Sequence, residues 1–331
     1  MLPLRPIQND LTSPVPVPVP RTPPKLIPGI TMALKTTPRA LFFDVFGTCV
    51  DWRSTVVGEL HAQSHASLNA ATASLASTVR FKASDMTLEH WGSFAQQWRD
   101  SYKQFTKLLA TDPTIPWVSV DEHHLRSLRD LMGEWQIEGL WDDEQLRQIS
   151  LVWHRLEPWA DSALGVALLN KLFCKPCTTI ILARLTNSDT CTLSNGNLSL
   201  LGDLRTFSNI PFTHLFSAEL FGTYKPSPRV YLGAAEKLNL PPSECVMVAA
   251  HLNDLKAAKS NGLQTIYVER VGEEDWDEEE VEKAKQEGWV DLWVSGKDGS
   301  KGFITVAEKL GVDVTDANQA RRLSTSAPIG T

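Results

Sequence analysis

Residues 40–48 read ALFFDVFGT, a short apolar run that meets an acid, Asp44, and then the pair Gly47-Thr48. A run of this length with no alternation predicts a strand buried on both faces, the kind found in parallel sheets. CVMVAA (245–250), TIYVER (265–270) and LWV (292–294) are further candidate strands. Helical patterns lie between them, RVYLGAAEKLNL (229–240) and LNDLKAAKSNGL (252–263), the second carrying Asn261-Gly262 as a stop signal. Strands that alternate with helices predict a doubly wound, mostly parallel α/β sheet. In such a sheet ligands bind at the carboxyl ends of the strands. An acid that closes the first strand therefore faces the ligand crevice, and Gly47 permits a tight turn beside it.

Residues 52–160 read as helices throughout. In 88–109, Leu88, Trp91, Phe94, Trp98, Tyr102, Phe105 and Leu109 recur every three or four positions, one face of an amphipathic helix. The segments 120–135 and 142–156 continue the pattern. Eight of the 11 tryptophans lie between Trp52 and Trp159, where core packing accounts for most of them. An all-helical block inserted after the first strand sits over the sheet's ligand edge as a cap. The expected organisation is a Pro-rich, disordered segment at 1–38, an α/β core formed by 39–51 and 161–312, a cap at 52–160 and a flexible tail at 313–331.

Half of the 20 prolines precede residue 39, including PVPVPVP at 14–20. Proline lacks an amide donor, so this stretch is expected to be extended or disordered; a ligand for a proline-binding domain is the alternative. Met32 opens MALKTTPRALFFD and offers a second start, which would make the preceding tail an artefact of the gene model. The 331 residues carry a formal net charge of -7, which speaks against a nucleic-acid partner. No apolar run approaches the ~20 residues of a membrane span, and no secretory signal is evident. Five cysteines, an odd and sparse set, do not make a disulfide scaffold. Cys174 and Cys177 form a CxxC pair that lacks a second ligand pair and reads as two incidental thiols. A cytoplasmic setting is expected.

Three more segments carry polar residues of catalytic type: LSNGN (193–197), YKPSPRVY (224–231) and VAAHLND (248–254). Each has an ordinary structural reading. Asp44 could cap a turn, Ser194 and Asn195 could cap the helix that LSLLGDL predicts, Lys225 could be a solvated loop lysine, and Asp254 could be another cap. Together they suggest more. A carboxylate is a modest nucleophile that must stay ionised, and a nearby ammonium such as that of Lys225 favours the charged form. Thr48 can offer its hydroxyl to Asp44 or to a bound carboxylate. Ser194 and Asn195 can surround an anion, and Asp254 can hold a water or orient its neighbours.

The four segments, in this order over about 210 residues, resemble the motifs of the haloacid dehalogenase-like hydrolases. The resemblance covers roughly residues 39–310. It implies that Asp44 attacks the substrate to form an ester. Phosphatases of that superfamily have a second Asp two positions after the nucleophile, to protonate a departing alkoxide. Here that position is Phe46, and a halide needs no proton. The chain thus resembles the type II (S)-2-haloacid dehalogenases, which act on small anionic 2-haloacids, need no metal or other cofactor and are often homodimers. The resemblance puts Asp44, Lys225 and Asp254 in the chemistry and Phe46, Thr48, Arg99, Ser194, Asn195 and Tyr231 at the substrate. Arg99, in QQWRDSY (96–102), matches the cap arginine that binds the carboxylate or halide; Arg53 competes for that role. A Mg²⁺-dependent phosphatase that has replaced its second acid is the rival enzyme. A non-catalytic protein that keeps the fold and binds partners through its Pro-rich tail is the rival from another class.

Two features depart from the pattern. His251 stands where well-studied members have Asn; it is read as a catalytic base toward the attacking water, oriented by Asp254, with a neutral packing residue as the alternative. In 173–190 an apolar run, TTIILARL, brings its own Thr186-Asn187, so two segments compete for the central strand. The LSNG match and its distance from Lys225 favour the one ending at Ser194, which leaves the extra stretch as an insertion or a gene-model error.

Overall fold

The computed structural model describes residues 34–71, 74–112, 114–171, 189–296, 299 and 301–314, all within the unit Met32–Thr331. The expectations for the Pro-rich segment before residue 34, for Cys174 and Cys177, for Thr186-Asn187 and for the tail beyond residue 314 lie outside these residues.

Six parallel strands form the central sheet. They are β1 (Ala40–Phe43), β4 (Asp189–Ser194), β5 (His214–Ser217), β6 (Cys245–Ala249), β7 (Gln264–Val268) and β8 (Leu292–Val294). Their order is β5-β4-β1-β6-β7-β8. From β1 the chain builds outward on one side through β4 and β5, then crosses to β6 and builds outward on the other. The carboxyl end of β1 is therefore the topological switch point, where an open α/β sheet leaves a crevice. Every residue of β1 is buried, as its unbroken apolar run requires. The predicted strands are present, each trimmed by a residue or more except LWV. The strand ending at Ser194 pairs with β1 through Ala40–Asp189 to Phe43–Thr192, so it takes the place beside β1. β5 was not foreseen: it is an edge strand of four residues, half of them buried, too short to show a period.

Among the described residues, five helices lie between Trp52 and Ser150. The helix Leu88–Thr111 (α3) starts at Thr87, whose hydroxyl accepts from the amide of His90, and buries Trp91, Phe94, Trp98, Tyr102, Phe105 and Leu109. Leu88 leaves the predicted stripe: it is exposed at the first helical position. Two other expectations need correction. The predicted helix over 142–156 stops at Ser150 and tightens into a 3-10 turn, Leu151–His154. That turn buries three consecutive residues, Val152, Trp153 and His154, which an α-helical period does not allow. The block also contains a strand: β3 (Glu157–Pro158) pairs antiparallel with β2 (Val50–Asp51), just after the acid loop. No described helix is long and apolar enough to cross a membrane.

The helices Ser162–Asn170 (α6) and Phe303–Lys309 (α11) pack closely because Gly165 has no side chain. A Cβ there would lie 2.3 Å from the Cβ of Phe303 and 2.9 Å from its backbone carbon. Gly165→Ala must push the helices apart, and we expect a loss of about 1–3 kcal/mol. A lower urea midpoint with an unchanged slope would show it; an unchanged midpoint would mean that the contact yields freely.

Candidate active site

Asp44 follows β1 directly and is 8% exposed. The Lys225 ammonium donates to Asp44 Oδ1 at 2.9 Å and to Asp254 Oδ2 at 2.6 Å. The Thr48 hydroxyl donates to Asp44 Oδ2 at 2.7 Å and accepts the amide of Ala250 at 2.9 Å. Thr48 thus ties the acid loop to the end of β6. His251 Nδ1 lies 3.1 Å from Asp44 Oδ2. The Tyr231 hydroxyl donates to Asp254 Oδ1 at 2.6 Å. Residues more than 200 positions apart in the chain meet here because they leave the carboxyl ends of adjacent strands.

The charges follow from these contacts. Burial pushes the Asp44 carboxyl up, but the Lys225 ammonium and His251 outweigh it and hold the group well below the ordinary carboxylate range. Burial pulls Lys225 down, and Asp254 and Asp44 more than restore it, so it stays a cation. Asp254 is pushed up by burial, which Lys225 only partly offsets. Burial also pulls His251 down, but its hydrogen bonds to Asp44 and Glu273 win and raise it to about 9.

Ser194 and Asn195 stand at the end of β4, but neither caps the following helix, Leu198–Ser208, whose N-cap residue is Asn197. Ser194 Oγ accepts from the amide of Gly196 at 3.2 Å. Asn195 Oδ1 accepts from the backbone amide of Lys225 at 2.8 Å. Asn195 therefore aims Lys225, much as Tyr231 aims Asp254.

The Phe46 ring is buried in an aromatic wall. Its ring meets Tyr102 at 5.8 Å and Trp153 at 6.0 Å, both edge-on. Arg99, 4% exposed, lies over Tyr102 at 4.8 Å, Phe46 at 5.4 Å and Trp52 at 5.7 Å. Its Nη2 reaches the carbonyl of Phe46 at 3.4 Å, while Nε and Nη1 have no acceptor among the described residues. A buried guanidinium with free donors is costly unless an anion joins it. Arg53, the competing candidate, bonds Gln96 and stacks on Trp52.

The sequence reading missed two groups. Arg270 grips Asp161 through both terminal nitrogens at 2.6 and 2.9 Å, and its Nε donates to the carbonyl of Thr48 at 3.0 Å. Glu273 reaches His251 Nε2 at 3.4 Å. Both belong to the loop after β7, where no sequence motif singles them out. A cavity of about 280 Å³, lined by Ser64, His65, Leu68, Arg80 and Trp91 among others, lies within the helices and contains none of the residues above. The ionised groups converge instead at Asp44, where Lys225 and His251 meet its carboxylate. Among the described residues, no group of three or more His, Cys, Asp or Glu side chains is placed to hold a metal ion.

Comparison with known families matches residues 38–262, more than half of the chain, to the haloacid dehalogenase-like hydrolases. Over 84 residues the chain is 32% identical to (S)-2-haloacid dehalogenase 1 of Pseudomonas sp. (strain CBS-3). That match takes in 25% of this chain and 37% of that protein, so the chain spans little more than a third of the relative's length. The solved L-2-haloacid dehalogenase PA0810 is 29% identical, with a TM-score of 0.62 over 83% of this chain and 100% of its own. The defluorinating L-2-haloacid dehalogenase Rha0230 shares the fold, with a TM-score of 0.64 and 24% identity over 86% of this chain and 99% of its own.

Proposed function

The chain belongs to the haloacid dehalogenase-like hydrolases, and from that premise we propose that it cleaves the carbon–halogen bond of small 2-haloacids through an ester on Asp44, releasing 2-hydroxy acids. One observation carries this reading. Asp44 is ionised beside Lys225 at 2.9 Å, and the residue two positions on is Phe46, walled in by aromatic rings. A nucleophile in place with no acid to protonate a leaving oxygen suits a leaving group that departs as a stable anion. The dehalogenases found among the relatives support the same substrate class.

In the first step Asp44 attacks the α-carbon in line and expels halide, inverting that centre. Arg99, with donors to spare, takes the substrate carboxylate or the departing halide; Phe46 lines the apolar side. Lys225 keeps Asp44 charged, with Asn195 fixing the lysine's backbone and Ser194 supporting the turn after β4. In the second step water attacks the carbonyl carbon of the ester, and backbone amides beside Asp44 stabilise the oxyanion. Asp254, oriented by Tyr231, and His251 are the groups placed to handle the water's protons. The helices of 52–160 act as a cap over this edge, and no cofactor enters either step.

Halide release measured over a panel of 2-chloro and 2-bromo acids, with and without EDTA, tests the proposal. We expect release that the chelator does not change. Hydrolysis of phosphate esters that needs Mg²⁺, with no halide released from any acid in the panel, would overturn it in favour of a phosphatase.

A further inference from the structure

Glu273 has no assigned part in either step, yet its carboxylate is buried at the site. Gly47 makes the room for it: a Cβ on Gly47 would lie 1.9 Å from Glu273 Oε2. The loop that carries it is pinned on two further sides. Glu274 accepts the amide of Leu252 at 2.9 Å, and Asp275 accepts from Lys103 of α3 at 2.7 Å. His251 then sits between two carboxylates, with Nδ1 on Asp44 at 3.1 Å and Nε2 on Glu273 at 3.4 Å.

We infer that Glu273 is a positioning residue for His251: it keeps the imidazole proton on Nε2, so that esterification of Asp44 turns Nδ1 from a donor into the base for hydrolysis. The inference rests on the reading of Asp44 as an ester-forming nucleophile. In the resting site His251 is an imidazolium, raised to about 9 by its two carboxylate partners against the pull of burial. Its Nδ1–H donates to Asp44 and cannot accept a proton. Esterification removes the charge on Asp44, and the Nδ1 proton loses its anionic partner. It passes to solvent as the one proton that dehalogenation releases with halide. Glu273 only accepts, so the remaining proton stays on Nε2 and the lone pair on Nδ1 faces the ester. Glu274, whose carboxylate feels the charge of His251, also acts on this imidazole.

The step then closes. Water oxygen bonds to Cγ of Asp44 as one water proton moves to Nδ1. The bond from Cγ to the ester oxygen breaks, and that oxygen takes the second water proton and leaves as the hydroxyl of the product. Asp44 is again a carboxylate and His251 again an imidazolium.

Two measurements test the relay, one of them independent of turnover. The first follows His251 by ¹⁵N NMR in the wild type, in Asp44→Asn, whose amide carries the ester's zero charge, and in D44N/E273Q. In D44N the imidazole should lose its proton about one pH unit or more below the wild type and rest with the proton on Nε2. In D44N/E273Q that tautomer preference should disappear. In the second, Glu273→Gln is mixed with 2-chloropropionate. It should release one halide per site at the wild-type rate, then turn over about 100-fold more slowly, with the propionate ester accumulating on Asp44 by mass spectrometry. Identical titration of His251 in wild type and D44N would overturn the inference, as would ester hydrolysis at the wild-type rate in E273Q or loss of its burst together with turnover. A wild type that releases no halide, beside the expected titrations, would reject the dehalogenase reading and leave the relay standing.

Discussion

Asp44→Asn should abolish halide release, with turnover down by about 10⁴-fold or more, the scale of loss when a covalent nucleophile is removed. An amide nitrogen is no nucleophile, and its carbonyl oxygen carries too little charge to displace halide. The fold should survive. The Thr48 hydroxyl can still donate to the remaining oxygen, and Lys225 keeps Asp254 at 2.6 Å. The variant should also lose part of the wild type's acid sensitivity. The Asp44 carboxyl is held well below its ordinary range. Its contribution to stability is therefore complete above about 3.9, the unfolded value, and is lost as the pH falls below that. An amide does not titrate, so this contribution is missing at every pH. A single turnover in ¹⁸O water should label Asp44 before product. Label that goes straight to product, or D44N turnover near wild type, would remove Asp44 from the chemistry.

Lys225→Met should be nearly as severe, and for a different reason. Both carboxylates it serves are buried, at 2.9 and 2.6 Å from its ammonium. Without the cation they cannot both stay ionised side by side, so one takes a proton. Alkylation at neutral pH should fall by about 100-fold or more and recover in part as the pH rises, because only the deprotonated Asp44 attacks. Wild-type alkylation needs no such rise. The fold should lose about 3–5 kcal/mol, the usual cost of leaving a buried charge without its partner. The halide burst followed against pH, together with urea unfolding, checks both parts. A burst at the wild-type rate near neutral pH would mean that Thr48 and His251 suffice to hold Asp44 ionised.

The legible part of this protein is local. ALFF could only be a strand covered on both faces, and the acid that ends it had to sit at the sheet's carboxyl edge. The stripe in α3 was readable too, and it held one further signal: Arg99, three residues before Tyr102, falls on the buried face. A guanidinium in an apolar stripe invites an anion. Less visible was what each polar residue would hold. Ser194 and Asn195 have the chemistry of helix caps and of anion ligands, and spacing cannot choose between them; the structure directs Asn195 to the backbone of Lys225.

The amino-acid sequence by itself determined the sheet, the helical layer and the order in which four polar segments reach one edge, because apolar period and chain punctuation are properties of neighbouring residues. Only the tertiary structure decided the electrostatics. Glu273 lies in an acidic stretch, GEED (272–275), and nothing near it in the chain marks it as a partner of His251. That pairing depends on β6 and β7 lying side by side and on a glycine more than 200 residues earlier leaving the space. Charge and proton position are set by what surrounds a group in space.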